Sequence, residues 1–95
     1  MKILVMEITM RVSFVNSLKE KRMILRSIRD KLKNKFNISI AETGDNDNHK
    51  SIVLGLCSVS YDKNVLENTS EKIISFIEEN LDGEIIDIYS EIEHY

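Results

Sequence analysis

The chain has 95 residues, 42% hydrophobic and 31% charged, which allows one globular domain (1–95) with no second core and argues against disorder. Its longest apolar run, Ile3–Met6, is too short to span a bilayer and reads as a poor secretory signal, with Lys2 as a minimal basic flank, an interruption at Glu7 and no small-residue cleavage site after it. A lone Cys57 excludes an internal disulfide and fits a reducing, cytoplasmic location. The net charge of −3 hides an asymmetry: Met1–Lys35 holds ten basic and three acidic residues, and Phe36–Tyr95 three basic and thirteen acidic. Such a split gives a field with direction.

In chain order, Lys2–Val12 alternates. Leu4, Met6, Ile8, Met10 and Val12 share one face, as in a strand buried on one side. Ser17-Leu18-Lys19-Glu20 has the form of a capping box and opens a helix to about Lys35, with Leu18, Leu25, Ile28 and Leu32 as its core stripe and Met23, Ile24 and Phe36 available to widen it. A second strand is expected over Phe36–Thr43, with Phe36, Ile38 and Ile40 on one face. A turn follows at Gly44–His49, and then a third strand over Lys50–Ser60 whose apolar run marks it as central. Asp62 caps a second helix over Lys63–Leu81, with Leu66, Ile73, Ile77 and Leu81 inward, and Asp82-Gly83 ends it. Glu84–Glu93 is the last strand, with Ile86, Ile88 and Ile92 expected inward and Tyr89 outward. Right-handed crossovers then give an α+β βαββαβ sandwich: a four-stranded antiparallel sheet with both helices on one face.

The first helix carries the sharpest functional signal. Lys19, Arg22, Arg26, Arg29 and Lys33 follow at steps of three and four, which lines five cations along the face expected opposite the core; Lys21, Lys31 and Lys35 add flanking charge. Only Glu20 and Asp30 oppose them on the helix. Like charges at this spacing repel by roughly 0.2–0.5 kcal/mol per pair, and cations in the first turn oppose the helix dipole by about 0.3–1 kcal/mol. Helix stability alone therefore does not select this pattern, whereas a phosphate backbone does. RNA or a ribonucleoprotein is the expected partner, contacted by Lys19, Lys21, Arg22, Arg26, Arg29 and Lys33, with Arg11 assisting. Two alternatives stay open for the row: a solvated face, and pairing with Glu67, Glu71, Glu78 and Glu79 of the second helix.

The open face of the sheet offers Val5, Glu7, Thr9 and Arg11 from the first strand and aliphatics with Cys57 from the third. It has no aromatic ladder for base stacking; a second copy of the chain is the expected cover, giving a homodimer. Cys57, in a strand expected to be buried, reads as a structural thiol. The turn Asp45–His49 fails as a calcium loop, because Lys50 and Leu56 stand where the motif needs Gly and Glu. No phosphate loop, dinucleotide fingerprint, HExxH or nucleophile elbow is present. No metal, cofactor or catalytic set is expected. An enzyme built on Glu42, Asp47 and His49 is the weakest of three function classes, behind RNA binding and a protein-interaction module.

Ser17-Leu18-Lys19-Glu20-Lys21-Arg22 after a strand, followed by Phe36-Asn37-Ile38-Ser39, Ala41-Glu42-Thr43-Gly44, Asp47, Leu54-Gly55 and Val59-Ser60 with Asp62, resembles the bacterial YlxP-like family of domains of unknown function, over almost the whole chain. The resemblance implies a ferredoxin-like fold and no established enzymatic activity. Members are often encoded near translation-initiation and ribosome-binding factors, which implies a role in translation or ribosome maturation. The family motif maps onto Ser17–Arg22, Glu42, Gly44 and Asp47. The chain departs from it after the loop Asp, where many relatives have an aromatic, a Gln and an Arg and this chain has His49, Lys50 and Ser51.

Overall fold

Alternation along β1 (Lys2–Arg11) turns Leu4, Met6, Ile8 and Met10 to one side, where all four are buried. A computed structural model, describing Met1–Tyr95, follows β1 with α1 (Leu18–Lys35), β2 (Ser39–Gly44), β3 (Ser51–Ser60), α2 (Lys63–Asn80) and β4 (Glu84–His94). The sheet order is β2-β3-β1-β4 and every neighbouring pair is antiparallel. β3 is thus central, as its apolar run predicts. Met6 lies opposite Leu56, Ile8 opposite Leu54 and Leu4 opposite Ile92, which keeps the inward rows in register. Leu25, Ile28 and Leu32 of α1 and Leu66, Ile73 and Ile77 of α2 join these rows in one core cluster. Both helices therefore cover the same face, as the sequence predicts. Each fully buried aliphatic side chain there contributes roughly 1.5–3 kcal/mol.

Local chemistry fixes the ends. The Ser17 hydroxyl accepts from Glu20 N at 3.1 Å, while the Glu20 carboxylate reaches past Ser17 to Asn16 N at 3.3 Å, one residue earlier than a regular capping box. Phe36 is the C-cap of α1 in extended conformation, its N–H donating to Leu32 O, so β2 begins at Ser39 and not at Phe36. The Phe36 ring instead meets Phe76 edge-on, centroids 6.1 Å apart.

Two expectations, one of facing and one of burial, are overturned. A bulge in the β1–β4 ladder leaves Ile85 opposite Met10 and Asp87 opposite Thr9, so Ile85 takes the inward place and Ile86 turns to the open face, 48% exposed. Cys57 is exposed on that face and does not sit in the core.

Two glycines are required by close approach. A Cβ on Gly83 would stand 2.5 Å from the backbone oxygen of Arg11, and one on Gly55 would stand 2.4 Å from Cγ2 of Thr43. Backbone cannot yield as a side chain can. Gly83→Ala should cost about 1–3 kcal/mol. Gly55→Ala should cost about 1 kcal/mol, as Thr43 rotates away and gives up its bond to Glu7. Urea midpoints of the two variants check the order.

Candidate nucleic-acid interface

At about 100° per residue, the core stripe of α1 comprises Lys21, Leu25, Ile28 and Leu32. The flank toward α2 is marked by Ile24 and Ser27, which share a groove with Asn80 and Leu81, and by Lys35, whose Nζ lies 4.9 Å from the Phe76 ring centre. Lys19, Arg22, Arg26, Arg29 and Lys33 occupy the other flank, turned away from α2. The row is therefore beside the core stripe and not opposite it. Lys19 and Lys33 are 14 residues apart, about 21 Å along the axis.

This placement removes one reading of the row, pairing with the acids of α2. The three ion pairs of the molecule are Lys21–Glu42, Arg29–Asp30 and Lys63–Glu67, and none joins the helices. Glu67 faces Lys63 of its own helix at 3.7 Å. Glu71 and Glu79 line a shallow groove with Lys35, and Glu78 lies with Gly83 and Glu84 toward β4. Lys19, Arg22, Arg26 and Lys33 are exposed and have no acidic partner; Arg29 is half-buried and holds Asp30 at 3.2 Å.

Two residues expected in the interface do not belong to it. Lys21 is 1% exposed, its Nζ donating to Asp45 O at 2.6 Å and Asn48 O at 2.8 Å and lying 3.1 Å from Glu42 Oε2. That carboxylate oxygen has no hydrogen bond of its own and is held by the ammonium charge. Lys21 is thus spent inside the molecule. Its spacing to Leu25, Ile28 and Leu32 is the signal that it lies on the buried stripe. Arg11 is exposed at the end of β1, but beside Thr9 and Ile86 on the open face, across the sheet from α1.

Lys50 makes the reciprocal contact. From the β2–β3 hairpin its Nζ donates to Ser13 O at 2.7 Å and Val15 O at 3.0 Å, in the turn before α1. The sequence reading gives Lys50 no structural contact, treating it as a break in the calcium-loop pattern and a departure from the family pattern. Asp45 carries the one positive φ outside glycine, 52°, and accepts from the Ser51 hydroxyl at 2.6 Å. Glu42 is committed to Lys21, and no group of three His, Cys, Asp or Glu side chains comes together at the hairpin.

The open face is acidic. Asp87, Glu91 and Glu93 lie opposite Thr9, Val5 and Ile3, and Glu7 accepts from Thr43 at 2.7 Å. Tyr89 donates to Glu91, and Tyr95 to Glu93 at 2.6 Å; these bonds, and next the carboxylate charge, hold both phenols above their ordinary pKa. Val5, Val59, Ile86 and Tyr89 are exposed among them.

Element order, sheet topology and helix side define a ferredoxin-like α+β domain with a basic helix flank. Two designed proteins share the fold: Foldit4 (TM-score 0.56, 18% identity, 98% of each chain covered) and LFR1 1, described as having a ferredoxin fold (TM-score 0.57, 14% identity, covering 100% of this chain and 87% of that one). Residues 3–90 match the family described as protein of unknown function (DUF503), and the chain belongs to that family. "Uncharacterized protein YlxP" of Bacillus subtilis (strain 168) is 37% identical over 62 residues, 65% of this chain and 67% of that protein.

Removing the Lys21 ammonium would strand Glu42 and two carbonyls. Lys21→Met should cost about 3 kcal/mol, the low end for a broken buried pair because Glu42 is 25% exposed. Arg22→Gln on the exposed flank should change stability by under about 0.5 kcal/mol. Urea denaturation of both variants separates the inner lysine from the outer row.

Proposed function

We propose that this protein is a nonenzymatic binding protein of the cytoplasm that meets RNA, free or within the ribosome, through the outer flank of α1: Lys19, Arg22, Arg26, Arg29 and Lys33. One observation carries the reading: the flank is turned away from every acid of α2, so four of its five cations have no acidic partner within the chain. Their mutual repulsion is left for an external polyanion to relieve. The steps of three and four residues advance about 4.5–6 Å along the axis, which suits successive phosphates of one strand. The acidic open face repels the same ligand, which favours the helix over the sheet as the site. No helix is long and apolar enough to cross a membrane.

A second reading, a homodimer closed through the open face, is favoured by the exposed Val5, Val59, Ile86 and Tyr89. A two-fold axis parallel to the strands would lay β4 of one copy over β2 of the other and keep the acidic strands apart.

Five phosphate contacts to single-stranded RNA give a log–log salt slope of about −3.5, or about a hundredfold loss of affinity between 50 and 200 mM salt. Arg22→Gln with Arg26→Gln should reduce the slope by roughly 1.4. The measurement is a salt series of nuclease-treated protein with ribosomal subunits, with a structured RNA and with a single-stranded RNA, the last giving the slopes above. Binding unaffected by the double substitution removes the α1 flank as the site. Absence of RNA binding, with a dimer in sedimentation, leaves the second reading.

A further inference from the structure

We infer that the groove between α1 and the C-terminal end of α2 holds an unpaired nucleobase of the bound strand, an inference that rests on the RNA reading of the α1 flank. The groove encloses about 280 Å³, at the lower end of ligand-pocket sizes and suited to one planar ring system. Its walls are apolar: Phe14 is 48% exposed and Met23 64% exposed, with half-buried Ile24 between α1 and α2. Scattered exposed apolar residues are ordinary; here two large ones share one groove.

Phe14 is also held in place. It is the outward residue of a turn whose neighbours Val12 and Val15 are fully buried, closed by Val15 N donating to Val12 O at 3.0 Å and clamped by Lys50 on the carbonyls of Ser13 and Val15. An aromatic ring presented on a fixed turn is a stacking platform whose ordering cost is already met.

The polar rim holds two free acceptors, beside the Ser27 hydroxyl, which can both donate and accept. Asn80 Nδ2 donates to Phe76 O at 2.9 Å, which leaves its Oδ1 for a ligand, and the Asp82 carboxylate is in no ion pair. Such a rim recognises the donor-bearing Watson–Crick edge of a splayed base, and guanine presents two adjacent N–H groups there.

The groove adjoins the cation row. On the helix surface the neighbours of Met23 include Lys19, four residues before it, and Arg26, three after it, with Cβ atoms about 5–6 Å apart. A backbone tracked by the row can therefore turn one base over Met23 onto Phe14. The occupant is a single-stranded or bulged nucleotide and not a base within a duplex.

The test compares a short single-stranded RNA containing guanine, the same ribose-phosphate chain without bases, and inorganic polyphosphate, using the whole protein and its Phe14→Ala and Met23→Ala variants. Both side chains are exposed, so both variants should fold, as circular dichroism verifies. The base-bearing strand should bind roughly tenfold or more tightly than the abasic one, and Phe14→Ala should erase that preference without altering the salt slope; Met23→Ala should weaken it. Equal affinity for the base-bearing and abasic strands overturns the base site and leaves the phosphate row standing. A preference that survives both substitutions places the base elsewhere and overturns it as well. If none of the three polyanions binds, the RNA reading itself falls, and the base site with it.

Discussion

The ammonium of Lys21 is the point on which the upper end of the molecule depends. It enters the core stripe of α1, among residues that are otherwise aliphatic, and is accommodated because two hairpin carbonyls and the Glu42 carboxylate surround it. An unpaired charge there would be prohibitive, and even a paired one gains little net stability over an apolar residue. What the arrangement provides is position. Lys21 draws the β2–β3 hairpin against the start of α1, and Lys50 returns from the hairpin to the β1–α1 turn. Two lysines crossing in opposite directions fix the hairpin, the start of α1 and the β1–α1 turn to one another.

The distribution of charge follows from the same geometry. A single step of about 100° around the helix separates Lys21, facing inward, from Arg22, facing out, so neighbouring basic residues in one motif have unrelated tasks. α1 lies over β2 and presents its outer flank beyond that edge, while the acids of α2 face their own helix, the groove beside Lys35 or β4. The sheet adds Asp87, Glu91 and Glu93 on the far side. The result is a molecule of small net charge with a cationic flank and an anionic face, which orients an approaching polyanion before contact.

The arrangement of elements was legible in the sequence because period-two and period-3.6 patterns are strong here and the caps at Ser17 and Asp62 are explicit. Facing was less legible where a single extra residue intervenes. The bulge opposite Thr9 and Met10 exchanges Ile85 and Ile86, and no local sequence feature of β4 announces it. The apolar run of β3 suggests burial for Cys57, yet the run continues because β3 is central, not because both its faces are covered. Lys21 was legible and was misread: its spacing belongs to the stripe, and its charge class obscured that. Arg11 is legible in the same way: the alternation of β1 puts it on the open face, away from the helices, and only its charge groups it with the row of α1. Phe14 carries no periodic signal at all; its prominence comes from the turn that holds it.

The position of β1 in the sheet has a consequence for how the chain acquires its structure. β1 is made first, yet its two neighbours are β3, beginning at Ser51, and β4, beginning at Glu84. During synthesis Leu4, Met6, Ile8 and Met10 must wait for partners from distant parts of the chain, and the second of these emerges last. Such long-range pairing slows folding and leaves an apolar strand unprotected meanwhile.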